Sequence, residues 1–317
     1  MKKEIITSVD PKSPVSEVFR TLRTNLQYLN KKDGAQTMVI TSTVQGEGKS
    51  FVTANLAVTF AQAGKKVVIV DSDMRRPRQH KLFNINMYPG LSNYLSGVNV
   101  YRQSHEVELS ECICHSSVTN LSIIPAGNIP PNPSELLQSE RLPEFIDSLK
   151  RLFDIIIFDG APCLLVTDAT LVSRLVDATI LVVAQRKTKI DELKEATNRI
   201  NRVGGKVVGV VLNRVKISSK KYGEKYYYSS QLVAGKKKKN YDYLRNDEDN
   251  EIKSTKESKE ESPNNAPRVA YKDQELRGDK TSTNREMIYT TDKGLYSDKI
   301  KDILSEINSY EEGKKKW

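Results

Sequence analysis

Thr41–Ser50 reads TSTVQGEGKS, and this stretch decides the fold. Just upstream, Thr37–Ile40 is a β-rich apolar run that predicts a strand. Downstream, Phe51–Ala63 places Phe51, Leu56, Val58 and Phe60 at helical spacing among several alanines, so a helix is expected to begin near Lys49. Strand, glycine-bearing turn and helix in that order are the context of a phosphate-binding loop. Gly46 and Gly48 let the backbone turn tightly and aim successive N–H groups at an anion, to which the helix adds its positive end. Gly46, Glu47, Gly48, Lys49, Ser50 and Phe51 are therefore the candidate nucleotide contacts, with Lys49 reaching the β- and γ-phosphates and the Ser50 hydroxyl ligating Mg²⁺. Thr43 stands where the motif usually begins with glycine. The bland alternative is a Gly-rich turn capped by a lysine.

Two acidic strand ends complement the loop. Lys66–Asp71 (KVVIVD) is an apolar strand running into DSDMRRPR, and Asp71 and Asp73 alternate with Ser72, so both can face one side if the strand geometry persists. The second end is Asp154–Asp159 (DIIIFD), with Asp159 in the place of a Walker B carboxylate that holds Mg²⁺ directly or through water. Either acidic end alone reads equally well as an ordinary surface turn. Three separated segments supplying complementary parts of one site make the stronger case. Asp168, in TDATL, is a further polar candidate or a helix cap.

The remaining pattern predicts an α/β fold. Leu121–Pro125, Ala178–Ala184 and Lys206–Leu212 read as further strands, apolar on both faces, and a charged helix is expected over Lys189–Val203. Another helix is expected from a Ser134 cap to about Leu152, after the Pro-rich PAGNIPPNPSELL; residues 81–120 are less regular. Strands alternating with helices imply a P-loop NTPase-like, mainly parallel sheet flanked by helices. Asn213 follows the last strand at the rim where ligands bind, as a base contact or a turn residue.

The domain organisation follows. Residues 1–15 are expected to be a mobile N-terminal segment, and residues 16–215 the nucleotide-binding domain. Ser16 is expected to precede a helix over Glu17–Leu29 with Val18, Leu22, Leu26 and Leu29 on one face and Glu17, Arg20 and Arg23 on the other. Residues 216–230 hold a cluster of Tyr222, Tyr226, Tyr227 and Tyr228 with no aliphatic pattern to bury them, which suits them as phosphoacceptors. Residues 231–317 are low in aliphatics and rich in mixed charge, hence expected to be largely disordered, with one short amphipathic helix near 297–309.

Composition narrows the function classes. The formal charge of +10 lies mostly before residue 231, favouring nucleotide phosphates or an anionic membrane surface. The aromatic-interleaved or helix-borne basic clusters of nucleic-acid binders are missing, so no nucleic acid is expected. Aliphatic runs are too short to span a bilayer. Three cysteines, Cys112, Cys114 and Cys163, form no evident disulfide or zinc framework, in keeping with a reducing cytoplasmic setting.

Over residues 14–228 the sequence resembles the bacterial tyrosine kinases of capsule and exopolysaccharide synthesis, in the form encoded separately from a membrane activator. TSTVQGEGKS followed by VVIVDSDMRRPR carries the resemblance, with IIIFDGAP as a Walker B, EVFRTLR as an E-x-x-R-x-x-R assembly motif, and the clustered tyrosines. Gln45 stands where the family often has proline, Gly160-Ala161 replaces the commoner Thr-Pro, and the chain continues well beyond the tyrosine cluster. The resemblance implies ATP and Mg²⁺ as cofactors, Lys49 and Ser50 on phosphate and metal, Asp71, Asp73 and Asp159 around the metal, and Arg75 near the site. It implies that Glu17, Arg20 and Arg23 join subunits of a homo-oligomeric ring in which one chain's tyrosines reach the next chain's ATP. It also implies a membrane polysaccharide co-polymerase adaptor that recruits the chain to the inner face of the plasma membrane, with other protein substrates open.

Two other readings remain at this stage. A ParA/MinD-like ATPase switch shares sheet and loop but carries an extra lysine early in the loop, where this chain has Val44. The other is a catalytically weak ATP-sensing subunit of a polysaccharide export complex.

Overall fold

The computed structural model describes residues 4–28, 35–97 and 107–215, and the backbone of 286–290. Its centre is a sheet in the order β3-β4-β2-β5-β1-β6-β7-β8. The strands are β1 (Thr37–Ser42), β2 (Val67–Asp71), β3 (Cys114–His115), β4 (Leu121–Ile124), β5 (Ile155–Asp159), β6 (Ala178–Ala184), β7 (Val207–Val215) and β8 (Glu286–Thr290). The six inner strands run parallel, and β3 and β8 close the edges antiparallel. The mainly parallel α/β sheet expected from the sequence is present. The register matters for the site: Asp71 and Asp159 are direct neighbours at the carboxyl ends of β2 and β5.

Alternation along each strand divides the core. Met38, Ile40, Ile69 and Ile157 face one layer, built from α1 (Ile6–Val9), α2 (Pro14–Gln27) and α3 (Lys49–Gln62), where they meet Phe19, Leu22, Leu26, Leu56 and Phe60. Val39, Val68, Val70, Ile156 and Phe158 face the other, against α5 (Leu91–Ser96), α6 (Leu109–Cys112), α7 (Pro133–Gln138) and α8 (Arg141–Leu152). Leu181 and Val183 pack with Leu193, Ala196 and Ile200 of α10 (Ile190–Arg202), beside α9 (Asp168–Ser173). Such two-sided burial explains why the strands read as unbroken aliphatic runs. Each fully buried Leu, Ile or Phe adds roughly 1.5–3 kcal/mol of transfer free energy to this arrangement.

Several expectations need correction. The segment before residue 16 is not wholly extended and mobile: Ile5 and Thr7 are fully buried, and α1 lies on α3. The cap of α2 is Ser13, whose Oγ accepts from the Ser16 N–H at 3.2 Å, while Ser16 Oγ donates back to the Asp10 carbonyl at 2.6 Å. Val15, Phe19, Leu22 and Leu26 form the buried face of α2, with Val18 only partly covered. The helix expected from Ser134 to Leu152 is two helices, because Ser139 adopts an extended conformation between α7 and α8, and the residue preceding α7 is Asn132. Within 81–120, Gly90 enters α5 so close to β4's exit that a Cβ there would lie 2.2 Å from the Pro125 carbonyl oxygen. The edge strand β8 falls in a region where composition suggested none. Tyr222, Tyr226, Tyr227, Tyr228 and the amphipathic stretch 297–309 lie outside the described residues.

Candidate active site

The loop between β1 and α3 is built to be rigid. Gly46 and Gly48 hold φ of +81° and +101°, a region that side chains resist. At Gly48 a Cβ would also lie 2.0 Å from Asn213 Nδ2, so this position needs glycine twice over. Glu47 does not face outward toward a ligand. Its buried carboxylate accepts from Thr43 Oγ1 at 2.9 and 3.0 Å, from the Val44 N–H at 2.9 Å and from the Thr188 hydroxyl. The side chain is the internal brace of the loop, which leaves the backbone N–H as the part of Glu47 available to a nucleotide. Thr43, in the usual glycine position, is used for the same brace.

Outside the loop, basic residues from the ends of β6 and β7 hold its carbonyls. Lys187 Nζ donates to Gln45 O at 2.6 Å and Arg214 Nη2 donates to Gly46 O. Asn213 Nδ2 donates to Glu47 O at 2.7 Å and is buried, so its amide fixes the loop instead of standing free for a base. The ring of Phe51 turns into the core, 5.9 Å from that of Phe19, leaving only its backbone at the helix start.

Lys49 and the carboxylates meet beneath this loop. Lys49 Nζ lies 2.7 Å from Asp73 Oδ2, 3.5 Å from Asp159 Oδ1 and 3.4 Å from Ser50 Oγ. Burial alone would lower the Lys49 pKa, but the charges of Asp159 and Asp73 outweigh it and hold the ammonium above its ordinary value. Asp71 is fully buried beside Asp159, and its carboxyl is pushed well above the usual range, first by desolvation and then by Asp159's charge. Backbone N–H groups of Arg78 and Gln79 each donate to Asp71 Oδ2 at 2.9 Å. The fold thus brings together all four groups singled out in the sequence: Lys49, Asp71, Asp73 and Asp159.

Arg75 points elsewhere. Its guanidinium forms a two-pronged pair with the buried carboxylate of Asp168, Nε to Oδ2 at 2.8 Å and Nη2 to Oδ1 at 3.2 Å, and Nη2 also donates to Ser134 Oγ at 3.1 Å. Asp168 is therefore the anchor of the DSDMRRPR loop, more than a helix cap.

The family model described as an AAA domain matches residues 35–209. Tyrosine-protein kinase YwqD of Bacillus subtilis is 34% identical over 231 residues, which cover 73% of this chain and 93% of that protein. The solved chimerical protein CapA2B2 superposes with a TM-score of 0.62 at 38% identity, covering 68% of this chain and 91% of that one. The chain belongs to the bacterial tyrosine kinases. The kinase domain of Escherichia coli tyrosine kinase ETK gives a TM-score of 0.61 at 31% identity, over 66% of this chain and 78% of that chain.

In this tyrosine kinase the E-x-x-R-x-x-R residues are divided. Glu17 and Arg20 pair on the surface of α2 at 2.7 Å, and Arg20 also reaches the Pro11 carbonyl. Arg23 turns inward, Nη1 donating to the Thr59 carbonyl near the end of α3 at 2.9 Å. The kinase site also contains a residue that sequence reasoning missed, Gln79, which opens α4 (Gln79–Phe83) and contacts both Asp159 and the first turn of α3. Nothing in the run RRPRQH distinguishes it from a surface glutamine.

Cation donors at this kinase site are all hard oxygens: the Ser50 hydroxyl, Asp71, Asp73 and Asp159. Such donors suit Mg²⁺, which is typically held by one or two carboxylates together with water and phosphate oxygens. Asp71 Oδ1, buried and without a hydrogen-bond partner, is a free acceptor for the water shell of such an ion.

Proposed function

We propose that the chain transfers the γ-phosphoryl group of ATP to tyrosine hydroxyls, Tyr222, Tyr226, Tyr227 and Tyr228 of an adjacent subunit among them. The observation that carries this reading is the convergence on Lys49, at the base of a glycine loop, of Asp73 at 2.7 Å and Asp159 at 3.5 Å from two other chain segments. Kinship with named tyrosine-protein kinases supports it further.

The roles follow from charge and reach. The loop N–H groups and the positive end of α3 bind the phosphates. Lys49, held by its two carboxylate partners until phosphate competes for it, offsets charge on the transferring group. Ser50, Asp73 and Asp159 would hold Mg²⁺, which when bound neutralises phosphate charge and orients the terminal group. Asp71 accepts the phenol proton; the tyrosine's ordinary pKa near 10 makes such an acceptor necessary at neutral pH, and a carboxyl raised by burial is the better base.

Regulation of capsule or exopolysaccharide synthesis and export is part of the proposal. So is recruitment to the inner face of the plasma membrane by a polysaccharide co-polymerase adaptor, since among the described residues no helix is long and apolar enough to cross a membrane. Successive phosphates on a Lys-rich segment would repel one another and loosen a homo-oligomeric ring.

Incubation with MgATP and adaptor tail, followed by phosphosite mapping, tests the reaction. Lys49→Met is expected to lower incorporation by about 10²-fold or more, the scale of losing a preorganised cation at the transferring group. ATP hydrolysis with no phosphotyrosine would sink the kinase reading in favour of an ATPase switch.

A further inference from the structure

Gln79 is fully buried where three catalytic segments meet. Its side-chain Nε2 donates to Asp159 Oδ2 at 2.8 Å and to the Ser50 carbonyl at 3.1 Å, while its backbone N–H donates to Asp71 Oδ2 at 2.9 Å. One residue therefore ties together the end of β2, the end of β5 and the first turn of α3. The same cluster contains two buried oxygens that accept no hydrogen bond, Asp71 Oδ1 and Gln79 Oε1. A buried acceptor left without a donor forfeits the hydrogen bonds it makes to water in the unfolded chain, so two in one cluster point to a ligand that presents donors. Hydrated Mg²⁺ is such a ligand, because it dehydrates reluctantly and its water shell presents hydrogens outward. Lys49 does not serve these two oxygens; it is engaged with Asp73 and Asp159.

We propose that Gln79 is a positioning residue for the metal–nucleotide complex: its N–H groups hold Asp159, Asp71 and the Ser50 turn in register, and its Oε1, with Asp71 Oδ1, receives hydrogen bonds from the ion's hydration shell. The inference deepens the reading of this site as one for MgATP and rests on it. Outer partners of this kind change metal affinity more than they change the fold. The amide is suited to both tasks at once, donating to a carboxylate on one side and accepting from water on the other. A carboxylate in its place could not donate to Asp159, and an aliphatic side chain could do neither.

Titration of the full-length protein with a fluorescent ADP analogue, with and without Mg²⁺, separates the alternatives. Wild type is expected to bind nucleotide more tightly when Mg²⁺ is present. Gln79→Met, of similar length and volume, is expected to keep metal-free affinity within about twofold and to lose roughly tenfold to a hundredfold of the Mg²⁺-dependent gain, the range seen for outer partners of metal ligands. With ATP as substrate its kcat should fall while KM at saturating Mg²⁺ stays near the wild-type value. If the methionine side chain prevents folding, Gln79→Asn, which keeps the amide but falls a methylene short of Asp159, is read in the same titration. An undiminished Mg²⁺-dependent gain in a folded variant overturns the inference. A wild-type protein whose affinity is indifferent to Mg²⁺ overturns the underlying assignment of the site instead, before any substitution is considered.

Discussion

Asp71 is held where its charge is costly. Desolvation and the neighbouring Asp159 push its carboxyl well above the ordinary value of 3.8, and the N–H groups of Gln79 and Arg78 and the charge of Lys49 offset only part of that. A raised carboxyl pKa means that the folded chain binds the proton more tightly than the unfolded one. Asp71 therefore weighs against stability increasingly as the pH rises from the ordinary aspartate value through its folded one, and not below it. Asp71→Asn removes the titration while keeping an acceptor for the two N–H groups. Calorimetry is expected to find the variant equal to wild type near pH 3 and more stable at pH 7.5. Phosphoryl transfer should fall by about a hundredfold or more with the loss of the proton acceptor. A variant less stable than wild type at pH 7.5 would mean the buried charge is fully compensated. At this scale the motif residues were legible because their chemistry requires their identity: a lysine after glycine, aspartates closing aliphatic strands. Glu47 and Gln79 were not, since whether a polar side chain braces a loop or meets a ligand depends on which way the finished fold turns it.

Elements were legible where burial is two-sided and hidden where one or two contacts decide. The run DIIIFD reads as a strand because five consecutive residues, Ile155–Asp159, are buried. The N-terminal segment gave no such signal, since its anchorage is Ile5 and a few scattered polar contacts, Gln62 Nε2 to the Thr7 carbonyl at 2.9 Å and those of Asn55 among them. Asn55, midway along α3, accepts from the Thr7 N–H and Thr7 Oγ1 at 3.0 Å each and donates to the Glu4 and Phe51 carbonyls at 3.0 and 2.9 Å. A helix-interior asparagine is an indifferent helix former, and only this strap explains it. Similarly, the break that Ser139 makes in the predicted Ser134–Leu152 helix shows in the sequence only as a slip of phase, from Pro133 and Leu137 in α7 to Leu142, Phe145, Ile146 and Leu149 in α8, and α7 is too short to establish a phase of its own. Asn55→Leu should leave the buried Thr7 N–H without an acceptor and cost about 1–3 kcal/mol in urea denaturation. Because the strap would loosen first, trypsin is expected to cut after the exposed Lys12 faster than in wild type. Unchanged stability together with unchanged cleavage at Lys12 would show that α1 contributes little to holding α3.

The whole molecule sets a question of reach. The ends of β1, β2 and β5 carry the site on one edge of the sheet, and β7 leaves that same edge at Val215, seven residues before Tyr222. A fully extended link of that length spans at most about 25 Å, so distance alone permits a tyrosine to approach its own chain's loop or a neighbour's. What favours the neighbour is α2, whose Glu17–Arg20 pair is part-exposed on the surface while Arg23 is committed to the Thr59 carbonyl within its own chain. In the proposed assembly the part-exposed Glu17 and Arg20 would serve the contact between copies, whereas Arg23 would act through the position it gives α2. Mixing decides between the two routes. A chain carrying Lys49→Met with intact tyrosines is combined with one carrying an intact site and Tyr222, Tyr226, Tyr227 and Tyr228 all changed to Phe, in labelled MgATP. Transfer between subunits should place label on the Lys49→Met chain, at a rate per molecule that rises with total protein concentration. Adding Glu17→Ala and Arg20→Ala to both chains should lower that rate about tenfold at a fixed concentration, by weakening encounter, with the melting midpoint held because an exposed pair of this kind contributes roughly 0–1 kcal/mol. No label on the Lys49→Met chain in the mixture, with wild type alone labelled at a rate per molecule independent of concentration, would instead assign the reaction to a single chain and leave α2 without a role in it.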